Sequence, residues 1–266
     1  MPLAVCATPI GNLADVTLRV LEELRAADLV LCEDTRHTRL LLERHGVEAR
    51  LLSYHRHNEA SRITEVLPRL VAGGRLALVS DAGLPCVNDP GARLVAAALE
   101  ADVTVTVLPG PSAVETALVA SGLAGDAYRF LGYLPRAVRE REALWADLAG
   151  WPHPAVAFES PKRLPAALAS LAAADPDRRV AVCRELTKVY EDVARDTAAA
   201  LAERYREAPK GEITLVIGPS TRAAEAAAAL EAVVELVAAG SHRGVAASVV
   251  ARLTGVPRNA LYAGSL

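Results

Sequence analysis

RLALVSDAGLPCVNDPG, Arg75 to Gly91, decides how this chain is read. Leu76, Ala77, Leu78 and Val79 form a short apolar run of the kind shown by a strand buried on both faces. The run gives way at once to Ser80, Asp81, Ala82 and Gly83. Asp89-Pro90-Gly91 then reads as the opening of a helix, with Asp89 as N-cap and Pro90 at the first helical position. A carboxylate among small residues, at the carboxyl end of a buried parallel strand, is where open α/β sheets hold ligands. An ordinary polar turn looks the same in isolation. Three further loops repeat the design, and the repetition favours a ligand rim.

Leu3 to Ala7 reads as a strand followed by the loop Thr8–Leu13. Leu18, Leu21 and Leu24 mark a helix over Thr17–Ala26 by their spacing. Asp28–Cys32 is a second strand, running into Glu33-Asp34-Thr35-Arg36-His37-Thr38. A helix from Thr38 to His45 is closed by Gly46, a usual C′ residue. Leu51-Leu52 leads to Tyr54–Glu59 and a helix to Val71, and Val103–Leu108 leads to Pro109-Gly110-Pro111-Ser112-Ala113. Such alternation specifies the α/β class with a mainly parallel sheet.

The helix Ala113–Ser121 is expected to join two lobes. Strands follow at Tyr128–Tyr133, Ala155–Phe158, Val180–Cys183 and Ile213–Ile217, with helices near Arg139–Leu148, Leu164–Ala172 and Ala198–Tyr205. The expected organisation is an α/β domain over residues 1–112, a second over 113–220 and a helical tail over 221–266. Val245–Tyr262 reads as helix, turn at Gly255, and a second helix opened by Arg258 and Asn259. That suits a helix-turn-helix unit and a plain helical hairpin equally.

With 266 residues, 52% of them hydrophobic, the chain can bury a sizeable core. Aromatic residues are only 4%, so that core must be Ala, Val and Leu. No apolar run approaches the roughly 20 residues of a membrane span. The N-terminal residues lack a basic region and read as a strand rather than a signal peptide. Cys6, Cys32, Cys86 and Cys183 are scattered without CxxC spacing, which points to free thiols in a reducing cytoplasm and to no metal site. The net charge of −3 conceals a local excess: Arg36 to Arg62 holds six arginines against three glutamates, with four histidines and Tyr54. A basic patch of this kind suits phosphate contacts.

No GxGxxG follows the first strand, and GxxxxGK[ST], GxSxG and HExxH do not occur, which removes common nucleotide, serine-hydrolase and zinc-protease readings. What remains is a set of loops on one rim: Thr8–Leu13, Glu33–Thr38, His55–Glu59, Ser80–Pro85 and Pro109–Ala113. Gly11, Gly83 and Gly110 would let backbone approach a ligand closely. Ser112 and Ala113, at a helix start, offer N–H groups to an anion. Asp81 suits a ligand amine or a ribose hydroxyl.

In this order, TPIGNL, EDTRHT, HNE, VSDAG with the following DPG, LPGPSA, FESPKR and ELTK resemble the ribosomal RNA small subunit methyltransferase I family. That family has the tetrapyrrole-methylase (class III methyltransferase) fold of S-adenosylmethionine-dependent enzymes. The likeness runs from Leu3 to about Pro219 and continues more loosely to the end. It implies two α/β domains with S-adenosylmethionine between them, a homodimer, and 2′-O-methylation of a cytidine in the decoding region of 16S rRNA, within the small ribosomal subunit. It further implies a cofactor site drawn from Pro9, Gly11, Asn12, Ser80, Asp81, Ala82, Gly83, Leu84, Pro109, Gly110, Ser112, Ala113, Phe158, Glu159, Gly211 and Glu212. The chain departs from the family pattern at Leu84, where Thr is usual, at Lys162, where His is usual, and at Phe158, where Tyr is common.

A neutral ribose hydroxyl is a poor nucleophile, so a base or a nearby cation should help. The candidates are Glu33, Asp34, Arg36, Asn58, Glu59 and Lys188, the last expected on a loop of the second lobe. Local ion pairs on solvated loops would explain the charged ones as well. His37, His55 and His57 read as polar rim or RNA contacts rather than metal ligands. Two other functions fit the same fold: a tetrapyrrole-type small-molecule methyltransferase, expected to carry a GxGPGD-like first loop where this chain has ATPIGNL, and a non-catalytic RNA-binding factor.

Overall fold

The computed structural model describes residues 2–265; Met1, of the expected first domain, and Leu266 and the side chains of residues 221–224, of the expected tail, lie outside the described residues. The chain divides into two compact units. The first comprises the chain up to Thr116 together with Glu185–Glu191, and the second comprises Ala117–Arg184 and the chain from Asp192 on.

In the first unit, β1 (Leu3–Cys6), β2 (Leu29–Cys32), β3 (Leu51–Ser53), β4 (Leu76–Val79) and β5 (Val105–Leu108) form one sheet in the order β3-β2-β4-β1-β5. All of its pairings are parallel. Every residue of β1, β2 and β4 is buried, which is why these strands are unbroken apolar runs. The helices are α1 (Leu18–Ala26), α2 (Thr35–Arg44), α3 (Glu59–Val71) and α4 (Ala92–Glu100), while α5 (Ala113–Ser121) begins in this unit and ends in the second. Leu3, Val5, Leu31, Leu76 and Leu78 pack on one face with Val66, Leu70 and Leu94 of α3 and α4. Ala4, Cys6, Val30, Ala77 and Val79 pack on the other with Val20, Leu24 and Leu42 of α1 and α2. Parallel strands deliver their following loops to a single rim, with the loop after β4 at its middle.

Two helix starts differ from the sequence reading. Helix α2 begins at Thr35, not Thr38, because Asp34 caps it, so Arg36 and His37 stand on its first turn. Helix α4 is entered through Gly91 at φ +131°, not through an Asp89 cap. A Cβ at Gly91 would lie 2.7 Å from Leu78 Cδ2 and 2.9 Å from Cys86 Sγ. Only glycine fits that corner.

In the second unit, β6 (Arg129–Tyr133), β7 (Ala155–Glu159), β8 (Arg179–Arg184), β9 (Asp192–Thr197) and β10 (Ile213–Ile217) form a sheet in the order β6-β7-β10-β8-β9. Only β6 and β7 pair in parallel; β7–β10, β10–β8 and β8–β9 are antiparallel. The parallel pattern read from the sequence therefore describes the first sheet, and the second is mixed. Strand β9 has no counterpart in the sequence reading, because its DVARDT is charge-rich and lies at a sheet edge. Helices α6 (Val138–Leu148), α7 (Leu164–Ala174) and α8 (Ala198–Arg204) cover one face, where Trp145, Leu148, Leu168 and Leu201 meet Ala157, Val182 and Leu215.

The tail is helical: α9 (Thr221–Ala238), α10 (Arg243–Thr254) and α11 (Arg258–Gly264), packed around Val233, Ala246, Ala247, Val250 and Leu261. Gly255, left-handed at φ +77°, turns α10 into α11. Among the described residues no helix is long and apolar enough to cross a membrane.

Candidate active site

The loop after β4 is stitched to the loop after β1. The Thr8 N–H donates to the Gly83 carbonyl at 2.8 Å, and the Gly83 N–H returns to the Thr8 carbonyl at 3.0 Å. The Thr8 hydroxyl donates to the Ser80 carbonyl at 2.9 Å, and the Ser80 hydroxyl to the Gly83 carbonyl at 3.0 Å. Asp81 reaches the loop after β2: its Oδ1 accepts from the Asp34 N–H at 3.1 Å. These bonds hold three loops around a shallow open cleft lined by Thr8, Pro9, Leu13, His37, Thr38, Leu41, Ser80 and Asp81. Asp81 Oδ2 accepts no hydrogen bond from the described residues. A carboxylate acceptor in a cleft lined by hydroxyls and apolar side chains suits a ligand with a polar, hydroxyl-bearing end and an apolar one.

The glycines serve the protein itself more than the sequence reading allowed. A Cβ at Gly11 would lie 2.5 Å from Lys188 Cγ, 2.8 Å from Thr187 Oγ1 and 2.9 Å from the Leu186 carbonyl oxygen. At Gly110 it would lie 2.9 Å from Ala7 Cβ. Gly83 is needed for its φ of +77°, with Ile10 and Pro111 at an ordinary 3.7 Å. Asn12 is also engaged internally: its N–H donates to Thr187 Oγ1 at 3.0 Å, and its Oδ1 accepts from the Ala14 N–H at 3.1 Å.

Lys188 thus groups with the first unit, not with the second lobe as the sequence order suggests. Its loop holds Glu185 and Thr187 left-handed at φ +53° and +66°. Such backbone costs of order 1 kcal/mol per non-glycine residue and persists where surroundings enforce it. Here the enforcing contacts are the Thr187 N–H donating to Glu191 Oε2 at 2.6 Å and Lys188 Nζ pairing with Glu185 Oε1 at 3.0 Å.

The other catalytic candidates divide sharply. Asp34 Oδ1 accepts from the Arg36 N–H at 2.8 Å and from its Nε at 3.1 Å, while Oδ2 pairs with Arg36 Nη2 at 2.8 Å. These bonds hold its carboxyl well below the usual carboxylate range, so Asp34 is a helix cap and a weak base. Asn58 shapes its own turn, with Oδ1 accepting from the His55 N–H at 2.8 Å and Nδ2 donating to the Ser53 carbonyl at 3.1 Å. Glu59 is buried, and its Oε1 accepts from the Tyr54 hydroxyl at 2.8 Å and from the Gly91 N–H at 3.1 Å. It latches the entry of α3 to the entry of α4.

Glu33 remains at the rim, half-buried, and its charge acts on a residue the sequence reading used up as a helix cap. Burial first, then the negative charges of Glu33 and Asp81, push the Asp89 carboxyl up to about 6, against an opposing pull from Arg56 and a hydrogen bond with Ser80. A rim carboxyl that titrates near neutrality is a candidate for proton transfer. The signal was present in the sequence as three acids on neighbouring loops, Glu33, Asp81 and Asp89.

At the start of α5, the Ser112 hydroxyl is bonded to the Glu115 carboxylate, so the helix start beside Ala113 already carries an anionic partner. Ala82, Leu84 and Pro109 lie on the same rim loops. Phe158 and Glu159 end β7, and Gly211 and Glu212 immediately precede β10, whose Ile213 pairs with Glu159. These four form a separate group in the second unit. Among the described residues no group of three or more His, Cys, Asp or Glu side chains is placed to hold a metal ion.

The sequence profile of the Tetrapyrrole (Corrin/Porphyrin) Methylases matches residues 2–202. Two relatives, from Mesorhizobium japonicum and Micromonospora olivasterospora, are both named "Ribosomal RNA small subunit methyltransferase I". Each is 44% identical to this chain over 98% of its length, covering 90% and 85% of the relatives' own lengths. Among solved structures, the methyltransferase CobJ superposes with a TM-score of 0.63 over 82% of this chain and 94% of its own, at 18% identity, a likeness of fold. The chain belongs to the tetrapyrrole (corrin/porphyrin) methylase family, within its ribosomal RNA small subunit methyltransferase I group.

Proposed function

We propose that this chain transfers the methyl group of S-adenosylmethionine to the 2′ oxygen of a cytidine in the decoding region of 16S rRNA, acting in the cytoplasm as a homodimer on the small ribosomal subunit. One observation carries the reading. Relatives named for ribosomal RNA match 98% of the chain, whereas the family profile ends at residue 202, before α9, α10 and α11. A chain working only on a small tetrapyrrole would have no evident use for the arginines exposed beside the rim.

S-adenosylmethionine is the methyl donor of this family, and when bound it supplies an electrophilic methyl group on sulfur. The lining of the first-unit cleft suits it in chemistry. Asp81, Ser80 and Thr8 would hold its polar groups, and Pro9, Leu13 and Leu41 its apolar surface. Glu33 and Asp89 would take the proton from the ribose hydroxyl, in preference to Asp34, whose carboxylate is already saturated by Arg36. Glu59 and Asn58 keep the third rim loop in shape. Arg36, Arg39 and Arg56, all exposed, would meet RNA phosphates. Sulfonium-to-oxygen transfer is an in-line displacement, and positioning alone can supply about 7–11 kcal/mol in favourable cases.

The test is nucleoside analysis of 16S rRNA from a bacterial host lacking its own enzyme of this kind, with and without this chain. One additional 2′-O-methylcytidine is expected on complementation. An expressed, folded chain that adds none would overturn the proposal.

A further inference from the structure

The second sheet carries an aromatic surface that the proposed transfer chemistry does not use. Aromatic residues are scarce in this chain, yet both of its phenylalanines and one tyrosine meet there. Phe158 packs edge-on against Phe130 at 5.2 Å between ring centroids and against Tyr133 at 5.7 Å. Leu131, Ala155 and Ala157 face the core under α6, α7 and α8, so Phe130 and Phe158, alternating with them, face the other way.

Tyr133 reaches that face through a defect. Phe130 pairs with Val156 but Tyr133 pairs with Phe158, a register shift of one residue within β6. In an unbroken strand Tyr133 would lie opposite Glu159 and point to the core side with Leu131. The extra residue reverses its face, and Gly132 at φ +66° permits the turn. The result is a tyrosine 61% exposed in the last position of a strand, braced on a phenylalanine ring.

Two exposed cations follow these strands. Arg136 follows β6 and Lys162 follows β7, both exposed and both beyond the same ends of two parallel strands. Of the acids at that end, Glu159 is buried and ion-paired with Arg163, and the exposed Glu212 precedes β10, whose Ile213 pairs with Glu159. Arg163 also donates to the Leu134 carbonyl at 3.1 Å, which ties the two strand ends together below the rings. A braced, exposed ring with flanking cations is the arrangement that stacks an unpaired base and holds its phosphates.

We propose that Tyr133, supported by Phe158, stacks an unpaired base of the RNA substrate, with Arg136 and Lys162 on the adjoining phosphates. This rests on the RNA-methylating function proposed above and names the part of the second unit that would recognise the substrate. The test titrates the full-length chain with a 16S fragment spanning the decoding region and measures methylation of small subunits at varied RNA concentration.

Tyr133→Ala is expected to weaken RNA binding roughly ten- to hundredfold, given the usual contribution of one stacked base. It should raise the half-saturating RNA concentration by a similar factor and leave the rate at saturation within about threefold. Tyr133→Phe should restore binding. Calorimetric affinity for S-adenosylmethionine and the thermal midpoint should not move. Unchanged RNA affinity in Tyr133→Ala overturns the proposal, and so does a loss of S-adenosylmethionine affinity, which would make the stacked ring the cofactor's adenine. A wild-type chain that methylates no ribosomal RNA defeats the functional reading and this inference with it. A Tyr133→Ala chain that binds and methylates as the wild type does defeats the inference alone.

Discussion

Gly11 and Lys188 touch although most of the chain separates them: a Cβ at residue 11 would lie 2.5 Å from Lys188 Cγ and 2.9 Å from the neighbouring Leu186 carbonyl oxygen. The lysine stem could swing aside, but the carbonyl belongs to a loop already held in left-handed backbone. Gly11→Ala is therefore expected to destabilise the chain by about 1–3 kcal/mol, as overpacking usually does. It should also slow methylation by displacing the Lys188 loop. Urea denaturation and a single-turnover assay check both, and wild-type values for both would mean that the loop has room to spare.

Glu59 should behave as a structural group. Glu59→Ala strips the buried Tyr54 hydroxyl and the Gly91 N–H of their common acceptor. The expected loss is about 2–4 kcal/mol for two unsatisfied donors. Glu59→Gln keeps an acceptor oxygen and should lose less than half of that, with a methylation rate within a few-fold of wild type. A stable Glu59→Gln chain whose single-turnover rate had fallen a hundredfold would return Glu59 to the chemistry.

Asp89 makes a prediction with a definite sign. Its carboxyl is pushed up to about 6, so the folded chain binds that proton more tightly than the unfolded chain, where Asp titrates near 4. The stabilisation is complete below about pH 4 and is lost as pH rises through about 6. After discounting for partial exposure, the loss is about 1 kcal/mol. Asp89→Asn should therefore be more stable than wild type by that amount at pH 7.5 and no more stable at pH 4.

The same group should shape the rate. If Asp89 and Glu33 accept the ribose proton, single-turnover methylation climbs with pH through about 6 and then levels. Asp89→Asn should cut the rate by about 10²–10⁴, while Asp34→Asn, which keeps a capping oxygen, should change it only a few-fold. The opposite ranking of the two variants would move the base to Asp34.

Arg36, Arg39 and Arg56 test the phosphate surface. Changing all three to Ala should reduce the dependence of log affinity on log salt by about 0.7–0.9 per lost phosphate contact and leave S-adenosylmethionine binding intact. An unaltered salt slope would mean that these arginines serve only their local partners, Asp34 for Arg36 and the Asn88 carbonyl for Arg56.

The buried strands of the first sheet were legible because their neighbours cover both faces, which leaves unbroken runs such as Leu76–Val79. Strand β9 was not, since an edge strand in solvent needs no apolar pattern. The helix entry at Gly91 was misread for a different reason. Asp89-Pro90 has the local chemistry of a cap, but the corner is set by side chains that fold back on Gly91, those of Leu78 and Cys86 and, from another loop, Glu59. The rim loops could be located from their composition. The division of labour among their acids could not, because it depends on who donates to whom across loops: the Asp34 N–H to Asp81 and the Gly91 N–H to Glu59.

The most direct test of the whole account is methyl transfer from radiolabelled S-adenosylmethionine by the purified full-length chain, offered unmethylated small ribosomal subunits, free 16S rRNA and a porphyrinoid precursor in parallel. The account predicts label in the 16S rRNA of the subunits, recovered after digestion as 2′-O-methylcytidine, and none in the porphyrinoid. Label in the porphyrinoid with unlabelled RNA, or S-adenosylmethionine binding without transfer to any acceptor, would contradict it.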